Sequence, residues 1–122
     1  QKITKDKKIA TGLHILGDVY TKSKNLSSIV KVKRGISNII KKNGLTELGS
    51  FYHQFHSGGF TGIVALTESH VALHTWPECG YLTLDVFVCN YTSKNDKVCK
   101  KVFDEINALF DPTRINVRAI KR

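Results

Sequence analysis

Two segments of the chain repeat apolar residues with the period of an α-helix. The first lies between Asn25 and the stop signal Asn43-Gly44, with apolar residues three, four and seven apart: Leu26, Ile29, Val30, Ile36, Ile39 and Ile40. The second begins after Ser93 and ends near Asp111-Pro112, and its stripe contains Val98, Val102, Ile106 and Leu109. Each pattern predicts an amphipathic helix that buries one side.

Runs with strand character surround these two helices. They span residues 9–20, 46–56, 60–67, 70–76, 80–89 and 113–120. The order is therefore β-α-β-β-β-β-α-β, and the short connections between the middle runs favour hairpins. We expect one domain over residues 1–122, of the α+β class. It is a two-layer α/β sandwich in which two helices cover one face of a largely antiparallel sheet.

The alternation within the strands separates an aliphatic face from a reactive one. In the run 80–89 the aliphatic face holds Leu82, Leu84, Val86 and Val88, and the opposite face holds Tyr81, Thr83, Asp85, Phe87 and Cys89. The same parity puts His70 beside His74, and Phe51 beside His53 and Phe55. Two helices cannot cover both faces of this sheet. We therefore expect a homodimer in which the aromatic faces of two protomers pack against each other.

Composition narrows the class of protein. The net charge of +9 is concentrated in the N-terminal KDKK stretch and in KVKRGISNIIKK, which reads as the solvated side of the first helix. A non-enzymatic, basic nucleic-acid-binding module is a remote alternative. It would need Lys or Arg among the strand aromatics, yet residues 51–90 contain neither. We expect no nucleic-acid partner.

Location and metal content follow from what the sequence lacks. No stretch of 18 apolar residues occurs, and the N-terminal residues are charged, so neither a membrane span nor a signal peptide is expected. The chain has three cysteines, Cys79, Cys89 and Cys99, and they form no CxxC pair. This favours a reducing compartment, which we expect to be the cytoplasm, and argues against a zinc site. No HExxH helix or phosphate-binding glycine loop is present.

The centre of the sequence carries the candidate chemistry. Ser69 follows an apolar strand, His74 comes five residues later, and Cys89 ends another strand twenty residues on. The three could meet if their strands are neighbours. The pattern is not the GxSxG turn of a hydrolase, and no acidic partner for a triad is evident.

The motifs in this region resemble those of the bacterial and archaeal S-adenosylmethionine decarboxylase proenzymes. They are Glu68-Ser69-His70, then His74-Thr75-Trp76-Pro77-Glu78, and the strand Asp-Val-Phe-Val-Cys ending at Cys89. Upstream, Phe-Tyr-His-Gln-Phe and Gly-Gly-Phe-Thr-Gly-Ile-Val match as well. The resemblance covers residues 10–120, and the combination of motifs is highly specific.

The resemblance implies that the chain cuts itself. The hydroxyl of Ser69 would attack the carbonyl of Glu68 and turn the amide into an ester, with the hydroxyl of Thr61 assisting where a serine is common in the family. His74 would then remove the α-proton of residue 69. The products would be a β chain, residues 1–68, and an α chain, residues 69–122, that begins with a pyruvoyl group derived from Ser69.

The resemblance also implies how the processed enzyme works. The pyruvoyl ketone would form a Schiff base with the substrate amine and act as electron sink while CO2 leaves, a role that pyridoxal phosphate has elsewhere. Cys89 would return a proton to the α-carbon. Phe55 would stack on the adenine and Glu78 would hold the ribose hydroxyls. The implied product is S-adenosylmethioninamine, for spermidine biosynthesis.

Two features leave the substrate open at this point. Relatives with the same pyruvoyl chemistry decarboxylate arginine or ornithine, making agmatine or putrescine. The first strand also departs from the family pattern: Thr11-Gly12-Leu13-His14 stands where many relatives have Gly-Arg-His, and Val19-Tyr20-Thr21-Lys22 replaces a Tyr-Gly-Cys-like turn. His14, His53 and His56 receive no role from the resemblance.

Overall fold

The computed structural model describes residues 12–67, 69–90 and 95–122. The strands are β1 (Gly12–Tyr20), β2 (Glu47–Gln54), β3 (Phe60–Leu66), β4 (His70–Trp76), β5 (Tyr81–Cys89) and β6 (Arg114–Lys121). The helices are α1 (Ile29–Lys42) and α2 (Asp96–Ala108). This order confirms the predicted succession of elements. Residues 9–11 of the first predicted strand lie outside the described residues, as do Ser93 and Glu68.

The first helix begins later than its apolar repeat predicts. Leu26 lies in a short 3-10 turn, Lys24–Ser27, and α1 starts only at Ile29. Ser28 separates the two, because its hydroxyl accepts a hydrogen bond from the Lys31 N–H at 3.3 Å and caps the helix. Leu26 is still only 3% exposed. The apolar repeat therefore identified a core position but assigned it to the wrong local structure.

The six strands form one sheet in the order β2-β3-β4-β5-β1-β6, and every neighbouring pair is antiparallel. The predicted hairpins join β2 to β3, β3 to β4 and β4 to β5. The β4–β5 hairpin turns through Pro77–Cys79 and ends at Gly80, whose φ of 60° is a conformation that glycine adopts at little cost. The pairing of β1 with β5, by contrast, joins residues far apart in the sequence.

The core lies between the sheet and the two helices. The aliphatic residues of β4 and β5 are fully buried, and they pack against Ile36 of α1 and Ile106 of α2. Burying one such side chain contributes about 1.5–3 kcal/mol. The predicted split of β5 into two faces is therefore confirmed. No helix within the described ranges is long and apolar enough to cross a membrane.

Candidate active site

The opposite face of the sheet, which we call the open face, carries aromatic and polar side chains, and neither α1 nor α2 packs on it. It exposes large apolar residues on both flanks: Phe51 is 65% exposed, Ile63 48% and Ile120 46%. Near the β4–β5 turn, the Trp76 ring stacks on Tyr81 with 5.5 Å between ring centroids, and Tyr81 contacts Tyr20. Both the histidines and the candidate catalytic residues lie on or beside this face.

Ser69 and Cys89 meet at one end of the open face. The β3–β4 hairpin is closed by a hydrogen bond of 2.9 Å from the Leu66 N–H to the Ser69 carbonyl. The Cys89 N–H donates to the Ser69 hydroxyl oxygen, also at 2.9 Å. Cys89 is 5% exposed, and its carbonyl accepts a hydrogen bond from the Asn95 side chain. The predicted serine and thiol residues are therefore neighbours, because β4 and β5 pair.

Thr61 and His74 meet at the other end. The two residues are directly opposed in the β3–β4 register, and their Oγ1 and Nδ1 atoms are 2.8 Å apart. When Nδ1 carries no proton, the threonine hydroxyl donates to it, which leaves the proton on Nε2. His74 is exposed, so its ring is accessible from outside the protomer. The structure thus pairs the two side chains that the resemblance implies for self-cleavage.

These two pairs do not meet within one chain. Ser69 and His74 are five residues apart along an extended strand, a separation of about 16 Å at 3.3 Å per residue. The expected meeting of the hydroxyl and the imidazole is thus wrong within one chain, whereas the hydroxyl of Ser69 does contact the backbone N–H of Cys89. Pairing of neighbouring strands aligns residues across the sheet, but it cannot shorten the distance along a strand.

A cleft of ≈ 330 Å³ opens beside the Thr61–His74 pair. Phe55 lies in the β2–β3 hairpin, where its N–H donates to the Gly59 carbonyl at 2.8 Å, and Glu78 lies in the β4–β5 turn. Both predicted substrate-binding residues therefore line one cavity. Its complete lining is Phe55, Ser57, Phe60, Thr61, His74, Thr75, Trp76 and Glu78.

Thr75 is buried beneath this cleft and connects the strands that form it. The sequence alone did not indicate this role. Its hydroxyl donates to the Leu26 carbonyl at 2.6 Å and accepts from the Phe60 N–H at 2.9 Å. It thereby ties the start of β3, next to Thr61, to the end of β4, next to Trp76. A buried threonine between a histidine and a tryptophan in the sequence was the available signal, because strand parity places it on the core side.

His14 is a second residue whose importance the sequence did not reveal. It lies on the open face of β1, opposite Phe87, and its ring packs edge-on against Phe87 and His70 at centroid distances of 5.8 and 6.0 Å. Its Nε2 atom is shielded from solvent and has no hydrogen-bond partner among the described residues. Burial is the main reason that the pKa of His14 is lowered from 6.5.

The fold and the site define a class of protein: a small two-layer sandwich with a serine at a hairpin turn beside a buried cysteine, and a threonine–histidine pair beside an aromatic cleft. Comparison with known proteins agrees. The sequence model of the family described as S-adenosylmethionine decarboxylase matches residues 13–122. This chain therefore belongs to the S-adenosylmethionine decarboxylase family.

Individual relatives cover most of the chain. The S-adenosylmethionine decarboxylase proenzyme of Picrophilus torridus is 37% identical over 116 residues, which are 94% of this chain and 86% of that protein. The Archaeoglobus fulgidus proenzyme is 44% identical over 90 residues, 73% of this chain and 80% of that protein. The crystal structure of adenosylmethionine decarboxylase from Aquifex aeolicus superposes with a TM-score of 0.81 and 33% identity, over 93% of this chain and 91% of that one. This structural match confirms the predicted fold.

Proposed function

We propose that this chain is a self-processing, pyruvoyl-dependent decarboxylase that converts S-adenosylmethionine to S-adenosylmethioninamine and CO2 for spermidine synthesis. The observation that carries the proposal is the hydrogen bond from the Cys89 N–H to the Ser69 hydroxyl oxygen. The relatives of the chain are named S-adenosylmethionine decarboxylase proenzymes, which agrees with it. A pyruvoyl group requires no external cofactor, because it is what remains of the serine after cleavage.

The surroundings of Ser69 fit formation of this group. Its hydroxyl oxygen accepts a hydrogen bond and so keeps its own proton and a second lone pair available. In the proposed processing, Ser69 Oγ attacks the carbonyl of residue 68, which forms an ester and breaks the C–N bond, and the hydroxyl proton passes to the freed amine nitrogen of residue 69. Thr61 donates its hydroxyl proton toward the oxyanion, and His74 removes the α-proton of residue 69 so that the ester is eliminated. The dehydroalanine left at residue 69 tautomerises to an imine, and water replaces its nitrogen, which leaves as ammonia, to give the pyruvoyl ketone. Cleavage leaves a β chain, residues 1–68, and an α chain, residues 69–122.

The processed enzyme then uses different residues for turnover. The pyruvoyl group, once formed, supplies a ketone that binds the substrate amine and withdraws electrons as CO2 leaves. Cys89 returns a proton to the α-carbon. Phe55 stacks on the adenine and Glu78 accepts hydrogen bonds from the ribose hydroxyls. A cleft lined by Phe55, Phe60 and Trp76 with one carboxylate suits a nucleoside better than the cationic side chain of arginine or ornithine.

A homodimer would bring the two separated pairs together. We propose that two protomers pack with their open faces together, about 10 Å apart as in other face-to-face sheets. A two-fold axis that reverses the strand direction sets the Ser69–Cys89 end of one protomer over the Thr61–His74 end of its partner. An axis along the strands would oppose like ends and leave both pairs incomplete. The exposed Phe51 and Ile63 would then become interface residues.

The cysteines support a cytoplasmic location for this enzyme. Within the described part of the chain none of the three forms a disulfide: Cys79 is exposed, and Cys89 and Cys99 are buried. A thiol needed for proton return must stay reduced, which the cytoplasm ensures.

Intact mass and CO2 release test the proposal together. Purified wild-type chain should give two fragments split after residue 68, the second with a blocked N-terminus, whereas Ser69→Ala should stay at its full mass near 13.7 kDa. The processed protein should release CO2 from S-adenosylmethionine and not from arginine or ornithine. Release only from a basic amino acid would overturn the substrate. No release from any of the three by processed protein would overturn the decarboxylase assignment.

A further inference from the structure

His14 has a buried ring nitrogen, and its ring contacts that of His70, the residue after the serine that becomes reactive. Its Nε2 is shielded from solvent and lacks a hydrogen-bond partner among residues 12–67, 69–90 and 95–122. Leaving a buried polar atom unpaired destabilises the fold. A buried polar atom without a partner needs an explanation. We take the explanation to be a ligand that binds on the face carrying the reactive serine and supplies the missing hydrogen-bond partner.

The strand register puts His14 at the Ser69–Cys89 end of the open face. Gly12 is opposite Cys89, and His14 is opposite Phe87, so His14 and Cys89 are diagonal neighbours. Diagonal neighbours have Cβ atoms about 7–8 Å apart, within reach of a ring side chain. The His14 ring also contacts the ring of His70 on β4, and His70 directly follows Ser69 in the sequence.

Burial favours the neutral form of the His14 imidazole. Burial lowers its pKa below 6.5, the Asp85 carboxylate opposes this shift, and His70 and Arg122 add to it. Of the described residues, the titratable or charged groups on the same sheet face around it are Asp85 and Cys89 from β5, His70 from β4, Arg118 from β6 and Arg122 just beyond it. A neutral imidazole has a lone pair with which it can accept a proton.

The proposed reaction needs such an acceptor. An α-amino group has an ordinary pKa of about 8, so it enters the site mostly as an ammonium ion without a lone pair. Only the free amine can attack a ketone. We propose that His14 is the base that takes this proton, a role that rests on the proposed pyruvoyl chemistry at residue 69. One N–H bond of the substrate breaks, one forms at Nε2, and the lone pair stays on the amine.

The transfer is unfavourable at equilibrium, because the ammonium is the weaker acid of the pair. Consumption of the free amine at the ketone draws it forward. The imidazolium returns the same proton to the product amine, so that no proton is gained or lost by His14 over a turnover. Removal of a positioned base of this kind typically costs about 10²–10⁴ in rate.

Replacement of His14 by Gln tests this role in the processed enzyme. We expect kcat/KM for the substrate to fall at least about 100-fold. Wild type should lose kcat/KM as His14 is protonated below pH 6.5, and the variant should lose that acid limb. His56→Gln, in the exposed β2–β3 turn, is the matched control and should behave as wild type. A wild-type profile for His14→Gln would overturn the proposal.

A neutral nucleophile separates the base from a structural role. Phenylhydrazine is already a free base at neutral pH, so it should react with the ketone of His14→Gln near the wild-type rate. An equal loss with phenylhydrazine and with substrate would mean that the variant distorts the ketone site, and the proposal would be wrong. If wild type itself is processed but inert, the proposed function fails first.

Nuclear magnetic resonance gives a readout that needs no turnover. In the uncleaved Ser69→Ala chain, the His14 ring can be titrated with and without S-adenosylmethionine. A bound ammonium that donates to Nε2 must lower the pKa of His14 further, because two positive charges would otherwise be adjacent. An unchanged pKa at saturating ligand would refute the contact, even where His14→Gln fails to fold.

Discussion

Two inactive variants should restore cleavage when they are combined, if the site forms between protomers. Ser69→Ala lacks the nucleophile but keeps the Thr61–His74 pair, and His74→Ala lacks the imidazole but keeps Ser69 beside Cys89. Each alone should stay uncut. The reason lies in the separation of about 16 Å between residues 69 and 74 along β4, which no side-chain rotation can close.

The expected yield follows from symmetry. When the two chains are made in equal amounts and pair at random, half of the dimers are mixed, and each mixed dimer holds one complete site. That site contains Ser69 of the His74→Ala chain. About half of the His74→Ala chains should therefore be cut, and the preparation should carry about a quarter of the wild-type number of active sites.

The assay is intact mass of co-expressed chains that carry different tags. The tag of the His74→Ala chain should appear on the fragment pair split after residue 68, and the Ser69→Ala chain should remain whole. Mixing the two after separate purification is the control for exchange between dimers. Absence of any cleavage in verified mixed dimers would show that each site is built within one chain, and the proposed facing arrangement would be wrong.

Three further predictions follow from individual contacts. Phe51→Glu on the open face should dissociate the dimer in sedimentation and prevent cleavage, whereas Val30→Glu, equally exposed on α1 at 66%, should do neither; dissociation by both would contradict the interface. Gly12→Ala should lower the free energy of unfolding in urea by about 1–3 kcal/mol. Its added Cβ would lie 2.5 Å from the Val88 carbonyl oxygen, while Gly49→Ala, with nothing within 4 Å, should change little. Thr61→Val should slow self-cleavage by about 10²–10³, as loss of an oxyanion donor does, and Thr61→Ser should retain it; equal rates for the two variants would remove the hydroxyl from the mechanism.

The sequence by itself determined the elements and the two faces of the sheet. Alternation in β5 assigned Leu84 to the core and Asp85 to the opposite side, because successive side chains on a strand point in opposite directions. The resemblance of the short motifs in the sequence to those of the family also proposed the individual residues of the candidate site, and that assignment needs no knowledge of the fold. The exception was Leu26, where a cap at Ser28 interrupts a helical repeat that continues through it.

Only the tertiary structure decided which of these residues meet. Pairing of β4 with β5 joins Ser69 to Cys89, and pairing of β3 with β4 joins Thr61 to His74. Sequence spacing is silent about register and about distance along an extended strand, so it could not separate the two pairs. The sequence could not show either that His14 Nε2 is buried with no partner in the described part of the chain, because this depends on every element packed around it.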